Sequence, residues 1–243
     1  MDDFPILGLL TMMAIVILVI KLLWSHKVGK AWSQAAERLG LAYYGGGVLT
    51  KPTIRGELRG IPVVVDLHIL RSTSGKTSRT TYYTDFCAEL SAEWICGMDL
   101  TKRGFFDKVS EVFGGQDIEI GHAEFDKQFR VQGTVSETVK EALLREDAQA
   151  ALQRLVNNFN RFQLDGGGLQ ARTNGRVANA DTLTRLINTV VDAAQELNDA
   201  VAATESLEDE QSRAPDLFPM PAGPSESEAI AIGHDDEHCD VVW

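Results

Sequence analysis

Asp66 and His68 stand two residues apart in the run Ile61-Pro62-Val63-Val64-Val65-Asp66-Leu67-His68-Ile69. In a β-strand that spacing puts both on one face, where a carboxylate can orient an imidazole for proton transfer. A hydrolase-like site also needs a nucleophile and oxyanion donors, and no neighbouring motif supplies them. His122, Glu124 and Asp126 flank Phe125 with the same spacing, but they would converge on a metal only in an extended segment, and a structural turn is the favoured reading. His234-Asp235-Asp236-Glu237-His238-Cys239 carries transition-metal donors in a stretch with nothing around it to hold ligands in place. No metal site and no cofactor are expected. Ser72-Thr73-Ser74-Gly75-Lys76-Thr77 is similar to the end of a phosphate-binding loop. That loop needs Gly where Leu70 stands, and a helix where β-prone Thr80-Thr81-Tyr82-Tyr83 follows. What remains is a polar loop over 71–79 whose Arg71, Lys76 and Arg79 suit anionic headgroups.

The elements that must position these residues lie between two extreme ends. The 243-residue chain carries a formal charge of −12, a poor basis for binding nucleic acid. Residues 204–243 hold eleven acids against Arg213 alone, net −10, leaving −2 for residues 1–203. Four prolines share that stretch, which predicts a disordered acidic tail. Cys87, Cys96 and Cys239 are spaced for neither a disulfide framework nor a zinc site.

At the other end residues 4–20, FPILGLLTMMAIVILVI, carry no charge. Lys21-Leu22-Leu23-Trp24 extends the segment to 21 residues, about 31 Å of helix. Its thirteen Leu, Ile, Val and Phe residues favour insertion by about 4–8 kcal/mol together, more than one terminal Lys opposes. Lys21 can snorkel and Trp24 suits the interface. Met1-Asp2-Asp3 is unlike the basic leader of a cleaved signal peptide. Lys21, Lys27, Lys30 and Arg38 all follow the span, which predicts a cytoplasmic C-terminal bulk. Residues 1–29 are therefore read as a transmembrane anchor with its juxtamembrane segment, 30–203 as the folded body, and 204–243 as the tail.

Within the body, Trp32, Ala35, Ala36 and Leu39 mark a short helix ended by Gly40. Residues 53–58 and 61–69 form a hairpin about Arg59-Gly60, residues 80–90 a strand, and 94–100 a strand expected to pair with it. A helix is predicted over 105–113, strands over 118–120 and 129–132, and a helix to residue 144 opened by a capping box of Thr134 and Glu137. A helix over 147–158, a hairpin over 162–172 and a long helix over 180–203 complete the pattern, with a subdomain division expected near 134. The class is α+β, a mainly antiparallel sheet packed with helices.

The body resembles the cytoplasmic part of uncharacterised bacterial membrane-anchored proteins. The resemblance rests on Trp32-x-x-Ala35-x-x-x-Leu39-Gly40-Leu41, Gly56-x-x-x-Gly60-Ile61-Pro62-Val63, Phe125-Asp126-x-x-Phe129-x-Val131-x-Gly133 and Leu164-Asp165-Gly166. It implies a helix-led α+β domain behind one anchor, and no activity.

These features predict a single-pass membrane protein presenting a cytoplasmic binding or scaffolding domain and an acidic interaction arm. Leu217, Phe218 and Met220 in a proline-stiffened frame, and the terminal Trp243, are the candidate contacts to a protein partner. The alternatives are a membrane-bound hydrolase-like enzyme around Asp66 and His68, and a domain sensing anionic lipid through Arg71, Lys76 and Arg79. The missing nucleophile motif weighs toward a non-enzyme. Leu183, Ile187, Val190, Ala194, Leu197 and Val201 repeat at heptad spacing, which serves self-association or packing on the sheet. Ala194 weakens a coiled-coil seam, so packing on the sheet is favoured.

Overall fold

A computed structural model describes residues 4–45, 50–75, 77–91, 94, 98–103 and 117–213. The chain divides into two units, residues 1–206 and 207–243. Phe4–Leu39 form one unbroken helix, α1, which runs through the expected boundary at 29/30 and is closed by Gly40 at φ 68°. Its two halves differ. Val28, Ala31, Trp32, Ala35 and Ala36 recur along one face and are buried. Residues Ile15, Val16, Ile17, Leu18, Val19 and Ile20 are consecutive, and each is 47–61% exposed. Among the described residues no helix is long and apolar enough to cross a membrane, the side chains of residues 4–8, 10, 14, 21, 22 and 25 lying outside that set.

Nine strands follow: β1 (Ala42–Tyr44), β2 (Thr53–Leu58), β3 (Ile61–Ser74), β4 (Thr77–Ala88), β5 (Met98–Lys102), β6 (Asp117–Ile118), β7 (Phe129–Gly133), β8 (Arg161–Asp165) and β9 (Gly168–Asn174). The helices among them are α2 (Ala123–Gln128), α3 (Glu137–Leu144), α4 (Glu146–Asn158) and α5 (Ala180–Arg213). The strands make one sheet in the order β1-β2-β3-β4-β9-β8-β5-β7-β6, with every neighbouring pair antiparallel. The fold is α+β. Strands from both sides of residue 134 interleave in this sheet, since β9 and β8 lie between β4 and β5.

Period-two alternation gives the sheet two unlike faces. Val63, Val65, Phe86, Leu100, Val131, Phe162, Leu164 and Leu169 are at most 2% exposed and meet the helices. The six heptad-spaced residues of α5 are buried in the same core, so that seam is occupied within the chain itself. Two indoles lock helices to it: Trp32 Nε1 donates to Val177 O at 2.9 Å, and Trp94 Nε1 to Leu197 O at 3.2 Å. Arg38 pairs with Asp181, joining α1 to the start of α5.

Four expectations change. Residues 71–79 are not a loop: β3 and β4 continue through them to Ser74, which lies opposite Thr77, with Gly75 in a turn beyond Ser74. The polar run lacks the apolar alternation that marks a half-buried strand, because both its faces are wet. β5 pairs with β7 and β8 rather than with the 80–90 strand, whose free edge is taken by β9. The helix cap is Ser136, whose Oγ accepts from Val139 N at 3.2 Å, rather than Thr134. The last helix runs on to Arg213, because residues 204–213 are rich in Glu, Gln, Ser and Leu and contain no proline. The helix predicted over 105–113 lies outside the described residues.

Candidate functional site

The second face of the sheet carries the polar half of each alternation. Register brings these residues into rows across the strands. Thr53 lies opposite Asp66, Asp66 opposite Asp85, Asp85 opposite Arg172 and Arg172 opposite Arg161, a five-residue row over β2, β3, β4, β9 and β8. The adjoining row runs Val64, Cys87, Gln170, Gln163 and Thr101. Between the rows lies a recess of about 190 Å³, lined on its polar side by Asp85, Cys87, Arg161, Gln163, Gln170 and Arg172.

The centre of this face is the Asp85–Arg172 pair. Arg172 Nε donates to Asp85 Oδ1 and Nη2 to Oδ2, both at 2.6 Å, the two-pronged geometry that suits guanidinium and carboxylate best. This hydrogen bonding holds the Arg172 guanidinium above its ordinary pKa against the opposing effect of burial. Its Cζ also sits 5.1 Å from the Tyr83 ring centroid. Burial pulls Arg161 down, and the neighbouring Arg172 charge adds to the effect.

Cys87 stands beside this pair, half-buried. Burial pushes its thiol up, and the carboxylates of Asp85, Asp66 and Asp165 push it further, with Arg172 opposing. A thiol so placed stays protonated near neutral pH and is a poor nucleophile. Asp165 accepts from Gly167 N at 2.8 Å and from Gln163 Nε2 at 2.9 Å. Burial, then the Asp165 charge, raises the Asp99 carboxyl, whose Oδ2 accepts from Gln163 Nε2 at 3.3 Å.

Asp66 and His68 both lie on this face, but they serve different partners. Asp66 Oδ1 accepts from Thr53 Oγ1 at 2.6 Å. His68 Nδ1 is 3.9 Å from Asp85 Oδ2, so its carboxylate neighbour comes from the adjacent strand. Asp85 is already held through both oxygens by Arg172, which leaves it a weak orienting base for an imidazole.

His122 caps α2, its Nδ1 accepting from Phe125 N at 3.3 Å, and Asp126 accepts from the Ile120 and Gly121 amides. Glu124 lies in the first turn of the same helix, so the segment is not extended, and His122 and Asp126 cap and close a turn. Among the described residues no group of three His, Cys, Asp or Glu side chains is placed to hold a metal ion. Arg71 and Arg79 are exposed on β3 and β4. Lys76, Leu217, Phe218, Met220, Trp243 and the 234–239 donors lie outside the described residues.

Sequence reasoning reached Asp66 and His68 but missed Asp85, Cys87, Arg161 and Arg172. The signal was present, since Asp85 and Cys87 alternate with buried Phe86 and Ala88. What no local pattern carries is the pairing of β4 with β9, 87 residues on. Comparison with protein-family models, curated proteins and solved structures finds no match for this chain.

Proposed function

We propose that this chain is a single-pass protein of a bacterial inner membrane whose α1 carries, at the cytoplasmic surface, a binding body rather than an enzyme. The observation that supports it best is the exposure of six consecutive apolar residues, 15–20. Successive helical residues turn by about 100°, so six of them face every direction, and a helix apolar all round belongs in a core or in lipid. These six are exposed, which leaves lipid. The same helix then enters the body's core at Val28 without a break, so anchor and body share one continuous helix.

For the body, the best support for a binding role is the state of its polar face. Its acids are held by protein donors, Asp85 by Arg172, Asp66 by Thr53 and Asp165 by Gln163, and its thiol is kept protonated. A pre-paired, fixed set of charges suits recognition of a complementary polar surface, because little ordering is lost on contact. The acidic tail adds a second arm, with Leu217, Phe218, Met220 and Trp243 as contacts to a groove on a protein partner. A fluorescent protein and, separately, a periplasm-dependent phosphatase fused after Trp243 test the topology. Fluorescence without phosphatase activity is expected, and active phosphatase would reverse the orientation and remove the body from the cytoplasm.

A further inference from the structure

β3 and β4 are longer than their neighbours. β2 pairs with β3 only as far as Asp66, and β9 with β4 only as far as Tyr83. Beyond those points residues 67–82 continue as a two-stranded arm that runs past the edge of the sheet to the turn at Gly75, whose φ of 58° suits a two-residue hairpin. Two contacts fix the arm's direction relative to α1. An added Cβ on Gly56, which lies opposite Val63, would stand 2.9 Å from Leu41 Cδ2, so Leu41 lies at the level of Val63. Trp32 bonds Val177 O, and Val177 N donates to Thr84 Oγ1 at 3.3 Å opposite Leu67, so Trp32 lies at the level of Leu67. From Val63 to Leu67 a strand advances about 13 Å, and from Leu39, the last residue of α1, back to Trp32 the helix advances about 10.5 Å. Helix and strand therefore travel the same way, and the arm leaves the body on the side from which α1 departs toward its exposed apolar half.

The reach is sufficient. From Leu67 to Ser74 the arm covers about 23 Å, whereas the helix needs about 12 Å from Trp32 to the level of Trp24. The arm therefore reaches the level of Trp24 with length to spare, and its polar tip suits the headgroup layer and not the hydrocarbon.

The chemistry agrees. Residues 67–84 contain no acid in a chain of net charge −12, and they carry Arg71, Lys76, Arg79 and seven Ser or Thr hydroxyls between 72 and 81. Arg71 continues the side of β3 that carries Val63, Val65 and Leu67, and Arg79 stands on the opposite side of the arm, both of them exposed. Both lie within four residues of Gly75, so a cation stands on each side of the arm near its end. The flanking acids are engaged, Asp66 by Thr53 and Asp85 by Arg172. We infer that the β3–β4 arm is a second membrane contact, binding anionic phospholipid headgroups end-on and so fixing the tilt of the sheet against the bilayer. This rests on the reading of α1 as the anchor.

The test uses the full chain in nanodiscs of phosphatidylcholine alone or with 30 mol% phosphatidylglycerol. Arginines are modified with phenylglyoxal, a neutral reagent that an anionic surface does not concentrate, and each site is followed by mass spectrometry. Arg55 is the internal reference, because it is exposed and its partner Val64 lies about 26 Å along β3 from the partner of Arg79. Modification of Arg71 and Arg79 should slow about fivefold in the anionic discs relative to Arg55, the factor equivalent to about 1 kcal/mol per basic residue near such a surface. 0.5 M NaCl should abolish the difference. Equal rates in both discs, with the chain incorporated, overturn the arm contact and leave the anchor standing. Protection of equal size in neutral discs assigns the arm to the acidic tail or to a second copy, and protection by inorganic phosphate in neutral discs assigns it to a free anion. Either overturns the proposal. A chain that incorporates into neither disc overturns the anchor, and the arm contact with it.

Discussion

Replacing Arg172 with Gln removes the guanidinium charge and the two-pronged pairing with Asp85, while keeping a polar side chain that ends at the position of Nε. Breaking one side of a fully buried pair costs about 3–5 kcal/mol, and an exposed pair is worth about 0–1 kcal/mol. With Arg172 32% and Asp85 20% exposed, the pair lies between these limits, and a cost of about 2 kcal/mol is expected. For a domain of this size that lowers Tm by about 4–8 °C, readable by circular dichroism of the detergent-solubilised chain. Asp85→Asn should cost a similar amount, and the double variant less than the sum by about 1–2 kcal/mol. The two changes should also move Cys87 in opposite directions. Asp85→Asn removes a carboxylate that raises the thiol, so alkylation at Cys87, resolved by mass spectrometry, should speed up. Arg172→Gln removes the opposing cation, so it should slow. Stabilities that add within about 0.5 kcal/mol, or thiol rates that move together, would refute the coupled polar centre.

Burial holds the Asp99 carboxyl above the usual range, so the folded chain binds that proton more tightly than the unfolded one. The resulting stability is present below the ordinary carboxyl value and is lost as pH rises through the folded value. Asp99→Asn, which keeps an acceptor for Gln163, should therefore melt higher than the parent at pH 7 and level with it at pH 3. Gly168 has φ 93°, and a Cβ there would stand 2.5 Å from Ala88 O, so Gly168→Ala should destabilise by more than the roughly 1–2 kcal/mol of the backbone conformation alone, measured as a drop in Tm. Ser136→Ala should cost about 1 kcal/mol through the lost cap of α3, and Thr134→Ala should cost little, a contrast that thermal melts of the two variants check.

What the sequence made legible was what local periodicity encodes. The alternation along 61–69 puts Val63, Val65 and Leu67 on one face and Asp66 and His68 on the other, and in the structure the first three are buried while Asp66 is half-buried and His68 exposed. The buried stripe of α4, Ala148, Ala151, Leu152 and Leu155, was equally plain. The arm was hidden because neither of its faces is buried, so Arg71 through Arg79 read as a loop. The Asp85–Arg172 centre was hidden for a different reason: its halves meet only when β9 pairs with β4, a long-range choice that Cys87 and Gln170 do not announce locally. The helical residues 204–213 were masked by their charge, which composition reads as tail although Glu and Gln extend a helix readily.

The central claim is that the first half of α1 lies in a bilayer while the rest of the same helix is built into the body's core. Extraction of membranes from cells producing the full chain with alkaline carbonate tests this directly. The chain should stay in the membrane pellet through the wash and leave it only with detergent, because an apolar helix inserted as proposed would hold it in lipid. Quantitative release of the intact chain into the carbonate supernatant would show that the exposed apolar residues of α1 are covered by something other than lipid, and would contradict the account.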